Sequence, residues 1–335
     1  MAEQGNRNVF TGPDAPAAFL NPDNKIPTPL IELPPHLNPF VSDRVRIFAK
    51  AEFLSPLFNI KRLAAYTLLR RAQEAGELEG VHTLVENSSG NMAVSLAALA
   101  PYFGISRVVV IVPRDIPPVK LELLRLFGLD IEFSDTTPGA PSGVARAREL
   151  GKQKGWHNLG QYGSEANPYA YEKYLAPEIW EQMDGSLTVF SAGLGTTGTV
   201  VGSARFFKKK SPRVAIIGVV PQQDSVPGVR SARRLKEVNF SWQGVLDHYK
   251  EVGTKDAFAQ SLALCRAGIF AGPSSGMALA GLLQILEEKK NTGTLGTVRN
   301  DAGEVAAVFV CPDSAILYLE KYSTHLDPED FSRVK

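Results

Sequence analysis

The chain has 335 residues, 44% of them hydrophobic and 21% charged, with Lys+Arg at 36 against Asp+Glu at 35. Such a length exceeds the size at which one hydrophobic core usually stops growing, so two packed domains are expected. The even charge balance leaves no net field to gather nucleic acid or an anionic membrane surface, so neither is an expected partner. Two cysteines, Cys265 and Cys311, match neither a disulfide framework nor a metal-ligand spacing, so structural thiols and no metal are expected. Met1-Ala2-Glu3-Gln4-Gly5 lacks a basic segment leading into an apolar run, and no stretch reaches the ~20 apolar residues that span a bilayer; a cytoplasmic location is the expectation.

In chain order, residues 1 to about 40 are rich in Pro, Asn and Gly and show no sustained period, which predicts an extended arm on the surface. A first series of β-rich runs follows at 45–49, 82–85 and 107–112, alternating with helix-period segments 61–75, 91–102 and 117–127. After about residue 165 a second series begins, with runs 187–190, 213–219 and 305–310 and helical stretches 167–183, 199–210, 254–267 and 275–290. Strands this apolar are buried on both faces, so each series predicts a parallel sheet covered by helices. The simplest architecture is two doubly wound α/β units with a cleft between them. Ligands in such sheets bind beyond the carboxyl ends of the strands.

One such end carries Ser191-Ala192-Gly193-Leu194-Gly195-Thr196-Thr197-Gly198-Thr199, between a predicted strand and a predicted helix. Glycines let the backbone approach a ligand, and the helix start presents N–H groups and the positive end of its dipole to an anion. Gly193, Gly195 and Gly198 also satisfy the dinucleotide pattern, which wants an acidic residue about 20 positions on to hold a ribose. Here the next strand runs into Val219-Val220-Pro221-Gln222-Gln223, and Asp224 arrives late. Three threonine hydroxyls in one turn suit a terminal monophosphate. On the loop alone, a monophosphate, a dinucleotide and a purely structural turn all stay open.

Further segments narrow the choice. Pro27-Thr28-Pro29-Leu30, Lys50-Ala51-Glu52-Phe53-Leu54-Ser55-Pro56, Asn59-Ile60-Lys61, Glu86-Asn87-Ser88-Ser89-Gly90-Asn91, Pro177-Glu178-Ile179-Trp180, Gly272-Pro273-Ser274-Ser275-Gly276 and Val310-Cys311-Pro312-Asp313 occur in this order. Together with the glycine loop, the set resembles the cysteine synthase and cystathionine β-synthase family of fold-type II pyridoxal-phosphate enzymes. The resemblance implies an α/β fold like that of tryptophan synthase β, two doubly wound three-layer domains with mostly parallel sheets. It implies a smaller, mobile domain over 52–164 with the substrate-carboxylate loop, and a larger one over 1–51 plus 165–335 with the phosphate cup. A homodimer is also implied.

Roles carry over by position. Lys61 stands where the family has its Schiff-base lysine, which then moves protons at the substrate α-carbon; by itself it reads as a lysine snorkelling at a helix start. Asn91 matches the residue that donates to the cofactor ring oxygen, or simply caps a helix. Gly195, Thr196, Thr197, Gly198 and Thr199 match the phosphate cup. Ser88, Ser89 and Gly90 match the loop that receives the substrate carboxylate, and Gln161 the glutamine that completes that clamp, although alone it reads as a surface turn residue. Ser274 matches the hydroxyl facing the pyridine nitrogen, or caps the following helix. A hydroxyl there leaves the ring essentially neutral and a poorer electron sink, which favours loss of a β-leaving group over transamination.

The implied activity is β-elimination and β-replacement on an O-activated or β-substituted L-serine through an aminoacrylate, with a small nucleophile as second substrate. A serine or threonine dehydratase, or a homologue that binds without turnover, are the alternatives. The chain departs from the family at Asn59, usually serine; at Arg62, usually acidic; at Met92, commonly threonine; and at Thr197, usually glycine. Arg230, Arg233, Arg234 and Lys236 after Pro227-Gly228 suggest either a seat for an acidic second substrate or a solvated charged face.

Overall fold

The computed structural model describes residues 8–135, 137 and 140–332, so Met1-Ala2-Glu3-Gln4-Gly5 lies outside the described residues. The strands are β1 (Leu30–Glu32), β2 (Val45–Ala51), β3 (Thr83–Asn87), β4 (Arg107–Val112), β5 (Asp130–Phe133), β6 (Trp156–His157), β7 (Val189–Gly193), β8 (Ala215–Pro221), β9 (His248–Val252) and β10 (Val305–Cys311). The helices are α1 (Ala15–Leu20), α2 (Lys61–Glu74), α3 (Asn91–Leu99), α4 (Pro118–Leu126), α5 (Gly143–Leu150), α6 (Ala166–Tyr174), α7 (Ala176–Gln182), α8 (Gly198–Lys210), α9 (Thr254–Arg266), α10 (Pro273–Asn291) and α11 (Leu319–His325). Among the described residues no helix is long and apolar enough to cross a membrane.

The chain forms two units. One joins the N-terminal segment through Thr28 to Lys61–Leu159, and the other joins Pro29–Ile60 to the chain from Gly160 onward. These boundaries differ from 51/52 and 164/165: the N-terminal segment packs with the smaller unit, where buried Arg62, on the first turn of α2, donates Nη1 to the Leu20 carbonyl at 2.8 Å, and residues up to Ile60, whose N–H donates to the Pro312 carbonyl at 2.8 Å, stay with the larger.

The smaller unit holds a four-stranded sheet in the order β5-β4-β3-β6, parallel throughout. Its β-branched strand residues Val85, Val109 and Ile111 pack against Ala147 and Leu150 of α5, while α2 and α3 pack against each other.

In the larger unit the six-stranded sheet runs β1-β2-β10-β7-β8-β9, parallel except for the antiparallel edge strand β1. Strand β2 belongs here, beside β10, although its apolar run opens the first series in the sequence; periodicity shows that a strand is buried, not which sheet receives it. β8 and β10 are buried at every position, which is why they read as continuous apolar runs. Helix α10 lays Met277, Leu282 and Leu286 into that core, each worth about 1.5–3 kcal/mol of burial. Close helix pairs need glycine: a Cβ at Gly276 would sit 2.1 Å from the Ala257 carbonyl, and one at Gly202 1.9 Å from that of Pro168. The predicted helix 167–183 divides into α6 and α7, and Pro177, with no backbone N–H to give, sits in the first turn of the second. Two of the family-like segments, 128 residues apart, meet in a buried ion pair between Lys50 and Glu178, with Lys50 also donating to Gln182 Oε1 at 2.8 Å.

Candidate active site

In the larger unit the chain leaves β7 at Gly193 and enters α8 at Gly198. The loop between is pinned at Leu194, whose N–H donates to the Val219 carbonyl at 2.8 Å and whose carbonyl accepts from the Arg230 N–H at 2.9 Å. A Cβ at Gly195 would lie 2.6 Å from the Gly228 carbonyl oxygen, so only glycine lets these two turns touch. Thr197 has φ 65° and ψ −7°, a left-handed conformation that β-branched residues rarely adopt. The family glycine is absent at this position, yet the backbone keeps the conformation glycine favours. Thr196 and Thr197 are buried and Thr199 half-buried. The Thr197 hydroxyl, 2% exposed, has no hydrogen-bond partner among the described residues. A buried unpaired hydroxyl costs about 1–3 kcal/mol, and here it stands beside the free N–H groups of a 13-residue helix. That donor set fits the phosphate of pyridoxal phosphate. It does not favour a dinucleotide: Asp224, the acidic residue beyond β8, accepts from the Ser231 N–H at 3.0 Å and pairs with Arg233.

The start of α10 lies beside this loop. A Cβ at Gly193 would lie 3.0 Å from Met277 Cε and 3.9 Å from the Ser274 carbonyl, and the Ser191 hydroxyl donates to the Ala278 carbonyl at 2.9 Å. Ser274 is buried on the first turn of α10, with Gly272 in the capping position, so it does not cap this helix. Gln161, 2% exposed, is not a surface turn residue; its carbonyl accepts from Asn167 Nδ2, which also reaches Thr196 Oγ1. Arg230 does not lie on a solvated face. It is 6% exposed, stacks 4.3 Å above the Tyr162 ring and is paired with Glu237, while Arg233, Arg234 and Lys236 are exposed. Burial opposes the Arg230 charge, and Tyr162 and Glu237 override it, holding its pKa above the ordinary arginine value.

In the smaller unit, Lys61 is the first residue of α2 and half-buried. The chain reaches it through a strained turn: Leu57 and Phe58 both have positive φ, and Asn59, in place of the family serine, donates its side-chain amide to the Leu57 carbonyl at 2.7 Å. Ser88, Ser89 and Gly90 form the turn from β3 into α3. The Ser88 hydroxyl oxygen accepts from the N–H groups of Gly90 at 3.4 Å and Ala93 at 3.3 Å, so Ser88 serves the helix start, whereas Asn91 is already its first residue. Met92 is buried in α3.

Lys61 and residues 88–91 thus belong to one unit, and residues 195–199, Ser274 and Gln161 to the other. Asn167 and the Lys50–Glu178 pair were not legible as partners from sequence. Burial pushes both cysteine thiols up in pKa, Cys311 most, so neither is an activated nucleophile.

The chain matches the model of the family described as "Pyridoxal-phosphate dependent enzyme" over residues 23–298, and it belongs to that family. It is therefore a pyridoxal-phosphate dependent enzyme. Cysteine synthase B of Escherichia coli is 30% identical over 261 residues, covering 77% of this chain and 84% of that protein. Cysteine synthase of Aquifex aeolicus is 28% identical over 285 residues, covering 83% and 87%. The crystal structure of O-acetyl serine sulfhydrylase isoform 3 from Entamoeba histolytica matches at a TM-score of 0.76 and 24% identity, covering 98% of this chain and 96% of that one, which establishes the common fold.

Proposed function

We propose that this protein catalyses β-replacement on an O-activated L-serine, with O-acetyl-L-serine as donor and sulfide as acceptor, in the manner of the cysteine synthases it is similar to. The observation that carries the reading is the 195–199 turn, where a buried, unpartnered Thr197 hydroxyl stands in a left-handed residue at the start of α8.

Pyridoxal phosphate, when bound, supplies an electrophilic carbon for amines and an electron-accepting ring that makes an amino acid's α-proton removable and its β-substituent expendable. In the proposal the Lys61 amine would hold the cofactor and would serve as general base toward the substrate α-proton. The hydroxyls of Thr196, Thr197 and Thr199, with the N–H groups of the first turn of α8, hold the phosphate dianion. Asn91 would hold the ring oxygen, and the Ser274 hydroxyl would serve the ring nitrogen, leaving it unprotonated. Ser88, Ser89, Gly90 and Gln161 bind the substrate carboxylate, and the Ser88 hydroxyl, its oxygen occupied by two N–H groups, has its hydrogen available to donate there.

Cytoplasmic residence and a homodimer are part of the proposal. Supporting the dimer, Leu54, Phe58, Phe270, Ile316 and Leu319 are exposed on the larger unit. Their loops adjoin, through bridges Asn59↔Asp313 and Ala271↔Ser314. Light scattering should give twice the chain mass. The activity is tested by supplying the cofactor-loaded protein with O-acetyl-L-serine with and without sulfide and quantifying cysteine and pyruvate. Cysteine formed only with both substrates is expected. Pyruvate in preference to cysteine, or no consumption of the donor, would overturn the assignment.

A further inference from the structure

Asn167, 0% exposed on the first turn of α6, has both amide hydrogens committed: Nδ2 donates to the Gln161 carbonyl at 2.6 Å and to Thr196 Oγ1 at 3.0 Å. The orientation of that amide is not arbitrary. A backbone carbonyl can only accept, so the nitrogen must face Gln161, and the same nitrogen must then donate to Thr196. Thr196 Oγ1 is thereby an acceptor on the Asn167 side, and its own hydrogen is left to donate elsewhere. Asn167 Oδ1 accepts no hydrogen bond among the described residues and lies where a Cβ on Gly198 would come within 2.3 Å, against the first residue of α8. One side chain therefore touches three parts of the proposed site: the backbone of the carboxylate-clamp residue, a hydroxyl of the phosphate turn, and the start of the helix behind it.

We propose that Asn167 is a positioning residue for the cofactor phosphate: it turns the Thr196 hydroxyl into a dedicated proton donor toward the anion and, by holding the Gln161 carbonyl, ties the substrate side of the larger unit to the phosphate side. This rests on the reading of residues 195–199 as the phosphate seat. Asn167→Asp keeps the size of the side chain but removes both donors. A carboxylate there can only accept, so it turns the Thr196 hydrogen away from the phosphate, repels the Gln161 carbonyl and adds a negative charge beside the cup.

The test titrates the cofactor-free wild type, Asn167→Asp, Thr196→Val and the double variant with pyridoxal phosphate and, separately, with pyridoxal, which lacks the phosphate, reading visible absorbance. Loss of a hydrogen bond to a charged group predicts that Asn167→Asp raises the dissociation constant for pyridoxal phosphate by about ten- to hundredfold and leaves that for pyridoxal in place. In the Thr196→Val background Asn167→Asp should cost less than it does alone, because only the repulsion of its charge remains to be lost. Should the carboxylate unfold the protein, Asn167→Ser, smaller and uncharged, carries the same comparison. Equal losses for the two ligands, or losses that add in the double variant, would reduce Asn167 to a packing role and overturn the proposal. A wild type that binds pyridoxal as tightly as pyridoxal phosphate would instead overturn the phosphate seat itself.

Discussion

Replacing Thr197 by glycine should stabilise the cofactor-free protein while weakening its hold on the cofactor. Thr197 sits at φ 65° with its hydroxyl buried and unpartnered. Releasing a branched side chain from the left-handed region returns about 1–2 kcal/mol, and removing an unsatisfied buried hydroxyl returns about 1–3 kcal/mol. Against this stand about 0.5–1 kcal/mol for the greater backbone freedom of glycine when unfolded and about 1.5 kcal/mol for the buried carbons lost. The balance is a stabilisation of about 1 kcal/mol, a rise of about 1–2 °C in the unfolding temperature. With pyridoxal phosphate bound the hydroxyl has a charged partner, and its loss weakens binding by about tenfold or more. Scanning calorimetry of the cofactor-free forms and an absorbance titration read the two effects. A variant that melts below wild type without cofactor, or binds the cofactor as tightly, would refute the argument that strain at this residue is maintained for the phosphate.

Glu178→Ala leaves the buried Lys50 ammonium without its carboxylate and should cost about 3–5 kcal/mol, read as a lower urea midpoint; Lys50→Met with Glu178→Leu should cost less than Glu178→Ala alone. The pKa values of His157 and His248 are held below the ordinary histidine value, chiefly by burial, with Glu77 opposing the effect at His157. Their folded forms therefore bind fewer protons than the unfolded chain, so stability is full above the unfolded histidine pKa of about 6.5 and declines as pH falls through it toward the folded values. Melting temperatures should be level between about pH 7 and 8 and fall between about pH 7 and 5, with a smaller fall in His157→Gln. Carboxylates such as Glu32, lowered by its hydrogen bond to Arg46, act only below that window.

The long strands were legible because burial on both faces writes an unbroken apolar run; β2, β4, β8 and β10 lie where the sequence predicts. The short or edge strands were not. β6 has two residues, and β9 alternates half-buried and exposed positions with charged side chains, so neither rises above its surroundings. Periodicity alone leaves β2 in the first series, and only the resemblance puts it in the larger domain; that the N-terminal segment packs with the smaller unit depends on contacts between residues far apart in the chain. In the site, the glycine turn and the helix starts at Lys61, Asn91 and Ser274 could be read from local pattern. The left-handed Thr197 was visible only as a departure from a glycine. The solvated face holds for Arg233, Arg234 and Lys236 but not for Arg230, which Tyr162 and Glu237 reach through the fold, and Asn167 carried no local signal, being one polar residue at the start of a helix.

Lys61 is the residue on which the proposed chemistry depends. Borohydride reduction of the yellow, cofactor-loaded protein followed by peptide mapping should place a single phosphopyridoxyl group on Lys61, and Lys61→Ala should lose that label while still binding the phosphate. A label on another lysine, or a variant that still takes the label, would contradict it.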